Sequence, residues 1–112
     1  MSERNLEIYQ TRRGKEPFTE WYDALRDVKT QARIRNRLRR VEAGNLGDCK
    51  SVGAGVSELR LDFGPGYRVY FGEVGDRVIL LLCAGDKSTQ DRDIYLCHVN
   101  MTTNLNFSRW QD

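Results

Sequence analysis

The segment from Val56 to Cys83 limits what this chain can fold into more than any other, because it alternates and breaks as a meander of strands must. From Val56 to Phe63, Ser57, Leu59, Leu61 and Phe63 fall on one side of an extended chain and Val56, Glu58, Arg60 and Asp62 on the other, since successive strand side chains point to opposite faces. Gly64-Pro65-Gly66 is a strong turn signal and Tyr67 to Phe71 resumes the pattern, so the pair predicts a β-hairpin. Val74-Gly75-Asp76 then turns the chain into Arg77 to Cys83, whose nearly unbroken apolar character predicts a central strand covered on both faces. Three consecutive antiparallel strands are expected.

Helices to cover such a sheet precede it. From Pro17, suited to a helix's first turn, Phe18, Trp21, Leu25 and Val28 recur at spacings of three and four and predict one buried stripe. Thr30 can cap a second helix in which Ile34, Leu38 and Val41 repeat that spacing, and Gly44 supplies a left-handed stop. Between those apolar positions lie Arg33, Arg35, Arg37, Arg39 and Arg40, a cationic surface that ordinary globular design places opposite the core stripe. The two helices should form a hairpin on one sheet face. Leu6, Ile8 and Tyr9 could pair as a further short strand. After Gln90 the pattern loosens to scattered Ile94, Leu96, Val99, Leu105, Phe107 and Trp110, and a short helix over 90–96 is the most that is expected.

At 112 residues the chain suits one domain with one modest core, and its 39% hydrophobic and 30% charged residues exclude both disorder and a membrane span. Charges at Glu3, Arg4 and Glu7 leave no room for a secretory signal's apolar run, so a cytoplasmic protein is expected. Cys49, Cys83 and Cys97 are odd in number and far apart, which argues against a disulfide framework and a CxxC metal site; Cys83, in an apolar run, should be a buried thiol. No Walker A, HExxH, GxSxG or Rossmann motif is present, so nucleotide hydrolysis, zinc proteolysis and serine hydrolysis have no support. The net charge of +2 steers nothing by itself, and any nucleic-acid reading must rest on where the charges lie.

A tight turn centred on position 64 would set Arg60 opposite Arg68 on one face of the hairpin. Like charges so placed destabilise a sheet unless an anion sits between them, and a phosphate is the natural candidate. Lys50 precedes the flexible approach to the hairpin and Lys87 follows the apolar strand, so Lys50, Arg60, Arg68 and Lys87 could line one cationic groove. A strand arginine is more often solvated or paired with a carboxylate, and Glu58 and Asp62 lie near enough to neutralise Arg60. Tyr67 and Tyr70 offer rings for base stacking, although their opposite parity lets only one share the Arg68 face. His98 is the sole histidine, and Trp21 reads as core.

The stretches GNLGDCK from Gly44, GAGVSELRLDFGPGYRVY from Gly53 and LLLCAGDKSTQDRDI from Leu80 resemble the HigB-like branch of the RelE/ParE toxin superfamily, also labelled addiction-module killer proteins. The resemblance spans about residues 5 to 95 and rests on ELR, GPGYRVYF and GDKSTQ. It implies an α+β fold: an N-terminal helical hairpin packed on a twisted, mainly antiparallel β-sheet of about four strands. It also implies the toxin of a type II toxin-antitoxin system, neutralised by a helix-turn-helix, HigA-like antitoxin protein through which alone it would meet operator DNA. Many such toxins are ribosome-dependent mRNA endonucleases that need neither metal nor cofactor. By position, Arg68 matches the arginine at the scissile phosphate, Arg60 and Lys87 fall near accompanying basic residues, and Lys50 matches a lysine usual in this branch; Tyr70, as a stacking ring, would join Lys50 in the RNA contacts. That region in relatives continues as a charged helix, often with a catalytic tyrosine or histidine; here Tyr95 to Asp112 lacks that composition, leaving Tyr95 and His98 as candidates for the acid or base. The alternatives are a ParE-like toxin that inhibits gyrase without cleaving RNA, and an inactivated toxin that serves as a non-catalytic binding module.

Overall fold

The computed structural model describes residues 3–102 and the backbone of Asn106–Arg109. Strand β1 (Asn5–Gln10) comes first, then helices α1 (Pro17–Asp23) and α2 (Val28–Glu42), and four strands, β2 (Cys49–Gly53), β3 (Val56–Leu61), β4 (Tyr67–Val74) and β5 (Val78–Gly85). A 3₁₀ turn (Lys87–Thr89), helix α3 (Gln90–Met101) and strand β6 (Asn106–Arg109) complete the order. Neighbours in the sheet run β2-β3-β4-β5-β1, extended at the β1 edge by β6.

The fold is α+β with a mixed sheet, and the expected four-strand arrangement behind an N-terminal helical hairpin is corrected in two respects. The β2 to β5 meander is antiparallel as expected, but β1 precedes the hairpin and lies parallel to β5, pairing Leu6 with Ile79 and Ile8 with Leu81. The physical reason is that β5, apolar on both faces, leaves one edge of backbone donors and acceptors that only another strand can satisfy. Leu6 and Ile8, nearly fully buried, then add to the same apolar layer as Ile79 and Leu81.

Alternation divides the side chains between two cores. Leu59, Leu61, Val69, Phe71, Ile79 and Leu81 face Phe18 of α1 and Ile34, Leu38 and Val41 of α2. Val56, Tyr70, Leu80 and Leu82 face Cys97 and the partly buried Ile94 and Met101 of α3. A bulge helps: Tyr70 pairs with Cys83 and Phe71 with Leu81, so Leu82 is extra and Leu82 and Cys83 both serve the second core. Each fully buried aliphatic side chain here contributes roughly 1.5–3 kcal/mol.

Helix details depart from the spacing read in the sequence. α1 ends at Asp23, and Val28, expected in its buried stripe, is 74% exposed at the start of α2. Asp27 rather than Thr30 caps α2, accepting from the Lys29 N–H at 3.0 Å, while the Thr30 hydroxyl donates to Asp27 at 2.9 Å. The Gln31 amide donates to the Tyr22 and Leu25 carbonyls and locks the hairpin. Gly44, at φ 92°, ends α2 as expected, its N–H bonded to Val41 O and that of Asn45 to Arg40 O. α3 runs twelve residues, well past the expected Leu96, because Asp93 and Cys97, flanked by the partly buried Ile94 and Met101, share one buried side even though Tyr95, Leu96 and Val99 are exposed. Leu105 and Trp110 of the tail lie outside the described residues. No helix among the described residues is long and apolar enough to cross a membrane.

Candidate functional site

The β3–β4 hairpin places Arg60 directly opposite Arg68, the register expected from symmetry about residue 64. The connection is a five-residue loop, Asp62 to Gly66, rather than a two-residue turn, since Leu61 and Tyr67 form the last pair. The neighbouring row on the same face runs Lys50, Glu58, Tyr70 and Cys83 across β2 to β5, and Gly85 continues the arginine row. Lys50, Arg60 and Arg68 therefore share one sheet face.

The anion between the two arginines is the protein's own Glu58. Its carboxylate is fully buried and accepts from Arg60 Nε at 3.0 Å, the Tyr70 hydroxyl at 3.1 Å and Gln90 Nε2 of α3 at 2.7 Å, with Arg68 Nε at 3.9 Å. Burial alone would raise its pKa; the hydrogen bonds from Gln90, Arg60 and Tyr70 outweigh that and hold the carboxyl below its ordinary value. Burial and the Glu58 charge push the Tyr70 hydroxyl up. The like-charge pair read in the sequence is thus neutralised internally, with Glu58 as a structural hub.

Arg68 is nonetheless not fully used. Only 8% exposed, it donates from Nη1 to the Gly66 and Tyr67 carbonyls at 3.1 and 3.0 Å, while its buried Nε–H has no hydrogen-bond partner. The Lys87 stem crosses the same loop: a side chain built on Gly66 would meet its Cγ, Cδ and Cε at 2.9–3.0 Å. Gly66 also adopts φ 79°, so the position demands glycine for both backbone and space. Arg68, Lys87 and the one-third-exposed Arg60 are thereby gathered at one end of the hairpin. Lys50 opposes Glu58 from the outer strand and is exposed.

Four other sequence candidates take different places. Tyr70 is fully buried, so its ring forms the floor of the site and presents no face to a base; Tyr67 packs in the opposite layer against Trp21 and Phe63. Tyr95 is 66% exposed on α3, on the side away from the buried Asp93 and Cys97. His98 Nε2 lies 2.9 Å from Val52 O beside Gly53, at the β2–β3 turn, whereas Arg60 stands at the far end of β3. The expected proton-transfer candidates are therefore not assembled with the arginines, because one points outward from α3 and the other sits four strand residues, roughly 13 Å, along the sheet.

Several residues of the site escaped the sequence reading. The GDKSTQ stretch is a capping device: Asp86 accepts from the Ser88 N–H at 2.8 Å, and its own N–H donates to Thr89 Oγ1 at 3.3 Å. The Asp-x-x-Thr spacing was the signal that could have found it. Thr89 donates to the buried Asp93 carboxylate at 2.6 Å, and both lie so close to Gly85 that no Cβ fits there. A hydrogen bond with Cys97, then burial, pushes the Cys83 thiol up, consistent with a thiol serving the core. Among the described residues no group of three His, Cys, Asp or Glu side chains is placed to hold a metal ion.

No family model matches the chain, and no solved structure matches it. An uncharacterized protein of Haemophilus influenzae is 48% identical to it over 77 residues, which is 69% of this chain and 78% of that relative. At that identity and coverage, the chain belongs to the same family as the uncharacterized Haemophilus influenzae protein.

Proposed function

We propose that the protein is a RelE/HigB-like toxin of a toxin-antitoxin pair, acting as a metal-independent endoribonuclease on messenger RNA at the ribosome and neutralised by a HigA-like antitoxin. The observation that carries this reading is the Arg68 guanidinium, preorganised by the Gly66 and Tyr67 carbonyls, with the Lys87 stem lying across the same loop at Gly66. A guanidinium fixed in this way can receive a phosphodiester without reorganising, and its charge stabilises the negative charge that builds up on phosphate during attack by the adjacent 2′-hydroxyl. Lys87 and Arg60 add charge at the rim, and Glu58 holds Arg60 in place. Mapping messenger RNA ends in cells expressing wild type and Arg68→Ala tests the proposal. New ends should appear with wild type and vanish with the variant; cleavage that survives the substitution overturns it.

One observation favours a second reading, a toxin or binding module that does not cleave RNA. Tyr95 and His98 stand away from the arginines. Intact messenger RNA alongside DNA damage in arrested cells would support a gyrase-directed toxin, and normal growth with a correctly folded chain would support the inactive module.

A further inference from the structure

Helix α2 concentrates charge that the rest of the chain lacks. Lys29, Arg33, Arg35, Arg37, Arg39 and Arg40 share it with a single acid, Glu42, in a chain of net charge +2, so the remainder is net negative. Arg33 and Arg37, Arg35 and Arg39, and Arg37 and Arg40 stand three or four residues apart, where like charges repel across a helix surface. A solvated helix face would intersperse acids to relieve that repulsion; this one does not.

Arg35 donates to the Tyr22 hydroxyl at 3.1 Å, and two further guanidiniums are positioned on the side facing β3. Arg37 donates from Nη1 to Arg60 O at 2.6 Å and from Nη2 to Leu46 O and Asp48 O at 3.0 and 3.1 Å, and its buried Nε–H has no partner. Arg33 lies over the Phe63 ring at 3.9 Å, which uses its flat face and leaves its edge of N–H donors free to turn toward a ligand. Between them opens a groove of about 360 Å³ lined by Arg33, Asn36, Arg37, Arg40, Asp62 and Phe63. Because Arg37 bonds the backbone of Arg60 while the Arg60 side chain turns to Glu58, this groove and the Arg68 loop lie on opposite faces of the same end of β3.

We propose that this groove is a second phosphodiester-binding site, which holds a stretch of RNA strand apart from the one at Arg68. The proposal rests on the RNA reading above and adds where the strand runs. A helix rises about 1.5 Å per residue, so Arg33, Arg37 and Arg40 leave the α2 axis at intervals of about 4.5–6 Å. An evenly charged phosphate backbone meets such a row continuously, whereas a peptide supplies carboxylates only where acidic residues occur. A strand reaching both sites passes Asp62 and Phe63 at the end of β3.

Binding of a short, fluorescently labelled 2′-O-methyl RNA, which lacks the attacking hydroxyl, tests this across a range of salt. Arg33→Gln with Arg40→Gln removes two exposed charges and spares the structural Arg37. This double variant should bind about tenfold or more weakly, with a salt slope shallower by roughly one to two phosphate contacts and an unchanged thermal midpoint. Asp62→Asn, which removes the carboxylate lining the groove, should bind more tightly than wild type. Wild-type affinity and slope in the double variant overturn the proposal, as does more effective competition by poly-glutamate than by RNA of equal charge, which would assign the groove to an acidic protein. Loss of binding in the double variant while Arg68→Ala still cleaves messenger RNA would sustain the groove and defeat the catalytic assignment instead.

Discussion

The Gln90 side-chain amide donates to the Glu58 carboxylate at 2.7 Å, and this bond joins the first turn of α3 to β3 across the face that carries Arg60 and Arg68. Glu58 thus does two things at once. It cancels the repulsion between the paired arginines, and it makes their geometry depend on how α3 is docked.

Glu58→Gln keeps the shape and removes the charge, leaving Arg60 and Arg68 face to face. Unfolding free energy at neutral pH should fall by about 3–5 kcal/mol, the range for breaking a buried ion pair. Folding lowers the Glu58 pKa from 4.5, so its contribution is complete above that value and is lost as pH falls through the lowered one. The gap between wild type and variant should therefore narrow below about pH 4.5 in denaturant titrations, and a constant gap would show that the carboxylate charge is not its source.

Gly85→Ala should destabilise the protein by about 1–3 kcal/mol, because the added methyl enters the space of Thr89 and Asp93. The effect should concentrate in α3. Hydrogen exchange should accelerate in its first turns more than in β3, and uniform acceleration would count against a local clash.

Arg37→Ala removes the guanidinium that donates to the Leu46 and Arg60 carbonyls and one of the two donors to Asp48 O, which keeps the Arg60 N–H. We expect a loss of about 2–4 kcal/mol, seen as a lower denaturant midpoint at unchanged slope. A variant as stable as wild type would mean that water replaces the guanidinium without penalty.

Arg68→Lys retains the charge but not the planar guanidinium whose Nη1 donates to both Gly66 O and Tyr67 O. If the site cleaves RNA, single-turnover cleavage should slow by roughly 10²–10³-fold, as when an oriented donor is lost from a charge-stabilising site. Affinity for uncleavable RNA should change far less, and equal losses in both would point to a role in binding alone.

Much of the β2 to β5 meander was legible because its signals are local. Alternation, the Gly64-Pro65-Gly66 break and the mirror rule about residue 64 together set Arg60 against Arg68, and Gly44 marked the end of α2. The Phe18 to Val28 stripe misled, since helical spacing does not reveal that the chain turns at Ala24 and restarts on an Asp27 cap. Tyr70 was read as a stacking ring for want of the layer above it; α3 seals that face.

By itself, then, the sequence determined the strand pattern, the facing arginines and the cationic helix, all of which follow from periodicities of two and about 3.6 residues and from turn chemistry. Only the tertiary structure decided that β1 pairs parallel with β5, that Gln90 comes from 32 positions away to share Glu58, and that Lys87 lies across Gly66. These are contacts between segments distant in sequence, settled when buried backbone and buried charge must find partners, and no local pattern encodes which partner is nearest.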